Sequence, residues 1–183
     1  ASSAMNKSTE INNPLRSWQR ALGYVPQHIY LADDTVAANI AFGIPKHKID
    51  LEAIIRAAKI AELHDFVTKD LKNGYETMVG ERGVRLSGGQ CQRIGIARAL
   101  YHNPAVLIFD EATSALDNRT EQAVIKAIHN LGKNKTIILI AHRLTTVKDC
   151  DCIYILENGK LVGQDKYYNL IENSSFFRNI AME

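Results

Sequence analysis

The sequence predicts an α/β protein built on a parallel sheet, and three observations carry that expectation. Two continuous apolar runs, Ala105 to Phe109 and Ile137 to Ala141, have the length of strands and no polar alternation, as strands covered on both faces do. A helical pattern from Glu121 to Leu131 separates them, and strand, helix, strand in that order feeds a parallel pair. The 183 residues suit one domain with a core of its own.

The elements follow from local signals. The opening ASSAMNKSTE is polar and lacks the apolar stretch of a secretion signal. Residues 1–14 read as a disordered or expression-derived leader, with a turn at Asn12-Asn13-Pro14. Ala21 to Val25 is a short strand ending at Pro26, and Thr35 to Phe42 a short helix stopped by Gly43 and Pro45. Asp50 is a plausible N-cap for DLEAIIRAAKIAELHDFVTK, whose Leu51, Ile54, Ile55 and Ala58, then Leu63 and Phe66, fall at helical spacing. This run predicts about two helical elements.

A glycine-dense stretch, Gly80, Gly83, Gly88 and Gly89, leads into a helical run from Gln90 to Tyr101. Asn103-Pro104 breaks it before the first apolar run. Gly132 is the expected stop of the Glu121 to Leu131 helix. Cys152 to Leu156, with Gly159, begins a further strand and turn.

Composition narrows the function. With 46% hydrophobic and 23% charged residues, the chain is neither disordered, collagenous nor coiled coil. A net charge of +2 leaves no footprint for nucleic acid or anionic lipid, and the apolar runs are far shorter than the ~18 residues of a spanning helix. Three cysteines cannot pair evenly, and Cys150-Asp151-Cys152 has no second cluster of zinc spacing, so ordinary thiols in a reducing compartment are expected.

Four features carry chemistry. LSGGQ, Leu86 to Gln90, opens a helix. Ser87, Gly88 and Gly89 there can offer backbone N–H groups and a hydroxyl to an anion, where the helix dipole favours negative charge; a flexible loop is the plainer reading. Ala105 to Phe109 runs into Asp110 and Glu111, which can present one carboxylate to Mg²⁺ and the other to a water, since sites form at the carboxyl ends of parallel strands. The alternative is a strand leaving into a polar loop. His142 ends the second run and can meet a phosphate or a water, or simply occupy a loop. Gln27, just past the first strand, acquires meaning only beside the others.

YVPQ, LSGGQ-x-QR, LIFDEATSALD and AHRL occur in one order with compact spacing. From about Leu15 to the C-terminus the chain resembles the nucleotide-binding domain of ABC (ATP-binding cassette) proteins. The resemblance implies a P-loop NTPase-like parallel sheet core with an inserted helical subdomain, the latter at about 30–100 with the signature motif, and a catalytic core at 101–183. It makes Gln27 the Q-loop glutamine, Ser87, Gly88, Gly89 and Gln90 part of the signature, and Asp110 the Walker B aspartate. It also makes Glu111 the catalytic glutamate, Ser114 to Asp117 the D-loop and His142 the switch histidine. The implied cofactors are ATP and Mg²⁺: Asp110 and Gln27 serve the metal, Glu111 polarises the water, and His142 contacts the γ-phosphate.

Family members work as head-to-tail pairs, so the implied partner is a second nucleotide-binding domain, over whose ATP the signature closes, with Asp117 communicating between the sites. A transmembrane domain is expected to meet Tyr30 to Asn39 and Glu81 to Arg85, which places the protein on the cytoplasmic face of a membrane; no nucleic-acid partner is expected. The Glu81 and Gly83 of MVGERGVRLSGGQ resemble the X-loop of exporters, implying export or lipid and oligosaccharide flipping. Alternatives are a non-transport ABC ATPase acting on nucleic acid or ribosomes, and a non-enzymatic interaction fragment.

One family motif is missing: no G-x-x-x-x-G-K-[ST] occurs in the sequence. Only 26 residues precede Gln27, so the chain resembles the C-terminal two-thirds of such a domain without its N-terminal part. Alone it is expected neither to bind ATP tightly nor to hydrolyse it, and to expose apolar sheet surface that favours self-association or local mobility.

Overall fold

The computed structural model describes residues 18, 21–131, 135–141, 144–175 and 177–178. Its centre is a three-stranded parallel sheet in the order β1 (Leu22–Val25), β2 (Val106–Asp110), β3 (Thr136–Ile140). Val25 pairs with Phe109, and Asp110 with Ile140, so all three strands end at one edge. A separate antiparallel hairpin joins β4 (Ile153–Glu157) to β5 (Lys160–Asp165).

Between β1 and β2 the chain forms four helices: α1 (Val36–Ile40), α2 (Leu51–Ile60), α3 (His64–Lys69) and α4 (Gly88–Leu100). The expected boundaries at Thr35 and Asp50 are real caps. The Thr35 side chain accepts from the Ala38 amide, and Asp50 accepts from the amides of Glu52 and Ala53, satisfying donors that a helix start leaves open. After β2 comes α5 (Asn118–Leu131), then α6 (Leu144–Val147) and, beyond the hairpin, α7 (Tyr167–Asn173). The expected stop at Gly132 and the leader at 1–14 lie outside the described residues.

A single apolar cluster unites sheet and helices, with Leu107 and Phe109 of β2 beside Ile94 and Ile96 of α4 and Val124 and Ile128 of α5. The two apolar runs nevertheless differ from the expectation of burial on both faces. β2 alternates between buried and half-buried positions, and β3 alternates between exposed and half-buried ones. A cavity of about 1040 Å³ lies between β3 and β4, lined by Ile138, Ile140, Tyr154 and Leu156 among others. The expectation of exposed apolar sheet surface therefore holds on this side, where Ile138 is 46% and Leu156 71% exposed.

Candidate active site

The carboxyl edge of the sheet gathers three of the residues singled out in the sequence. Gln27 follows β1, Asp110 closes β2 and Glu111 succeeds it. Gln27 Nε2 donates to Glu111 Oε2 at 2.8 Å. Glu111 takes the left-handed region at φ 47°, and its amide donates to the Ile140 carbonyl at 2.9 Å. This conformation is uncommon for a residue with a long side chain. It ends the β2 ladder while keeping the backbone tied to β3, and the carboxylate meets Gln27.

Sequence reasoning missed Tyr24. Its strand neighbour in the register is Ile108, and its hydroxyl donates to Asp110 Oδ2 at 2.9 Å. The bond to the carboxylate, more than burial, pushes the tyrosine hydroxyl above its ordinary pKa, because ionisation would lose the donated proton and set two anions together. The signal was available as a polar tip on a strand position two before Pro26, but it names no role by itself.

The LSGGQ segment forms a second group. The helix α4 starts at Gly88, two residues before the expected Gln90, because Ser87 and Gln90 make a reciprocal capping box. The Ser87 hydroxyl accepts from the Gln90 amide at 3.2 Å, and Gln90 Oε1 accepts from the Ser87 amide at 2.8 Å. The spacing Ser-x-x-Gln is a legible capping signal; two glycines of low helix propensity concealed it. A Cβ on Gly89 would come within 3.1 Å of the Ala115 carbonyl oxygen, so this glycine lets the Ser114 to Asp117 turn sit against the helix start.

Gln92 fastens the two segments, and it too was missed. It is 3% exposed, accepts from the Ala115 amide at 2.9 Å and donates to the Ser114 hydroxyl at 3.4 Å. Asp117 accepts from the amide and hydroxyl of Thr120, at 3.0 and 2.7 Å. The backbone and hydroxyl donors of Thr120 hold its carboxyl below the ordinary value, so Asp117 is also the cap of α5. That helix consequently starts at Asn118, not at Glu121. His142 lies outside the described residues.

The two segments expected to meet a transmembrane domain are neighbours. Thr35 bridges Met78, and the Val79 amide donates to the Asp34 carbonyl at 3.1 Å. A Cβ on Gly83, whose φ is +73°, would come 2.9 Å from Leu31 Cδ1. Tyr30 and Val84 stand out from this joint, 65% and 79% exposed. No helix among the described residues is long and apolar enough to cross a membrane.

Gln27, Asp110 and Glu111 thus stand at the carboxyl ends of parallel strands, where open α/β sheets form their ligand sites. The ABC transporter family matches residues 3–114, and the chain belongs to it. It is 47% identical over 157 residues to leukotoxin translocation ATP-binding proteins of Mannheimia glucosida and Mannheimia haemolytica, covering 86% of this chain and 22% of those proteins. A solved bacterial Atm1-family ABC exporter with ATP bound matches at a TM-score of 0.84 and 42% identity, over 90% of this chain and 29% of that one. The chain thus spans about a fifth of the length of the leukotoxin translocation proteins.

Proposed function

We propose that this chain supplies the hydrolytic side of the ATPase domain of an ABC exporter, which couples ATP binding and hydrolysis to movement of a substrate across a membrane. The observation that carries the reading is the junction of Gln27, Asp110 and Glu111 at the carboxyl edge of the sheet, with Gln27 Nε2 donating to Glu111 at 2.8 Å. The similarity to leukotoxin translocation proteins and to an Atm1-family exporter supports export over a role on nucleic acid or ribosomes.

Phosphoryl transfer to water needs positioning and charge stabilisation more than covalent chemistry. Glu111 would orient and polarise the attacking water, and His142 would contact the γ-phosphate. Asp110 and the amide oxygen of Gln27 are hard oxygen donors that suit Mg²⁺. Mg²⁺ in phosphoryl-transfer sites commonly keeps few protein ligands beside the substrate phosphates. When bound, that ion would neutralise charge developing on the phosphates. Tyr24 would hold one Asp110 oxygen in place.

The signature residues Ser87, Gly88, Gly89 and Gln90 would close over ATP held by a second such domain in a head-to-tail pair, with Asp117 at the junction. Tyr30 to Asn39 and Glu81 to Arg85 would meet a transmembrane domain from the cytoplasmic face of the membrane. The helical subdomain would span about 30–100, and the catalytic core 101–183. The test is Mg-ATP turnover by the full-length exporter: Glu111→Gln should abolish hydrolysis while ATP still binds, and undiminished hydrolysis would overturn the proposal.

A further inference from the structure

Glu121 is an acidic side chain only 6% exposed, which is unusual for a carboxylate and calls for partners. Its Oε1 accepts two hydroxyl hydrogen bonds, from Thr113 at 2.7 Å and from Thr146 at 3.1 Å. Both threonines are themselves buried, at 8% and 7% exposure. Thr113 lies two residues after Glu111, and Thr146 four residues after His142, on α6. Glu121 itself sits in the first turn of α5, directly behind the cap that Asp117 and Thr120 make. One oxygen of one buried side chain therefore joins the turn that carries the proposed water-orienting residue to α6.

We propose that Glu121 is a positioning residue that yokes the Glu111 turn to α6, so that Glu111 keeps a fixed place at the carboxyl edge of the sheet. The inference rests on the functional reading above. Its physical basis is that hydrogen bonds to a charged acceptor are short and strong in a buried setting. Moreover, the anomalous φ of Glu111 needs surroundings that over-determine it. The Glu111 amide on Ile140 ties the turn to the end of β3. Thr113 on Glu121 ties its other side to α5, and Thr146 on Glu121 carries that restraint to α6. Loosening the yoke misplaces Glu111 without touching ATP, and a displacement near 1 Å is worth about 100-fold in rate.

The test compares wild type, E121A, E121Q, the double variant T113V/T146V and E111Q in the full-length exporter, reading kcat, KM for ATP and the melting temperature. E121A should lower kcat by about 10- to 100-fold with KM within about threefold. E121Q keeps an acceptor oxygen and should recover most of the loss. T113V/T146V, which removes only the two hydroxyls, should lower kcat in the same direction as E121A with KM again little changed, and adding it to E121A should lower kcat no further. If E121A does not fold, T113V/T146V decides the matter by the same readings. Wild-type kcat per folded molecule in the variants, with only the melting temperature lowered, would overturn the yoke while leaving the site reading intact. Hydrolysis near the wild-type rate in E111Q would overturn the site reading and the yoke with it.

Discussion

The strands β2 and β3 carry nearly the same apolar run, yet they occupy different surroundings. In β2, Leu107 is 0% and Phe109 2% exposed, because both lie in the cluster that α4 and α5 complete. In β3, Ile138 is 46% and Ile140 49% exposed beside the cavity facing β4. An apolar run thus specifies a strand, but covering elements decide its burial. The same contrast extends to polar groups: the turn after β2 is held by Gln92, Thr120 and Glu121, whereas the outward face of β3 presents Ile138 and Ile140 beside Thr136.

The largest effect expected from this contrast is kinetic. Glu111→Gln in the full-length protein should reduce ATP turnover by about 10²- to 10⁴-fold, with nucleotide binding preserved in an equilibrium assay. Next comes stability of the chain in urea. Leu107→Ala should cost about 2–5 kcal/mol by opening the closed side of the sheet, while Ile138→Ala should cost less than about 1.5 kcal/mol. Equal losses would erase the distinction between the strands.

A smaller loss is expected at the loop. Gln92→Leu leaves the Ala115 amide without its side-chain acceptor, and denaturant midpoints should fall by an amount equal to about 1–2 kcal/mol. The smallest effect is the pH dependence of Asp117. Its carboxyl is held low in the folded chain by Thr120, so its contribution is present above the unfolded value near 3.9 and fades as pH drops through the lower folded value. Wild type and Asp117→Asn should accordingly differ in melting temperature at pH 6 and converge toward pH 2.

Much of the architecture was legible because its signals are local. Thr35 and Asp50 are caps that their own side chains announce, and the order of strands and helices between Ala105 and Ala141 admits a parallel pair almost directly. The family motifs likewise marked Gln27, Asp110 and Glu111, which the fold brings to one edge. What stayed hidden depends on contacts across long separations. Tyr24 reaches Asp110 across 86 positions, and Gln92 reaches Ala115 across 23. Neither residue type has a motif that names such a partner. The start of α4 was misplaced for a different reason, since Gly88 and Gly89 are poor helix formers whose use here is the close approach of Ala115. The exposed face of β3 is not signalled by its own composition; only the missing phosphate-loop motif pointed to exposed apolar sheet surface.

The central claim is that Gln27, Asp110 and Glu111 serve ATP hydrolysis while the phosphates are gripped by a loop whose motif this sequence lacks. Equilibrium Mg-ATP binding and turnover should be measured on this chain beside the full-length protein. The account predicts that only the longer protein binds and hydrolyses ATP, and that its turnover disappears with Glu111→Gln. Micromolar binding by this chain alone, with turnover that depends on Glu111, would contradict it and require the nucleotide to be held by residues now assigned other roles.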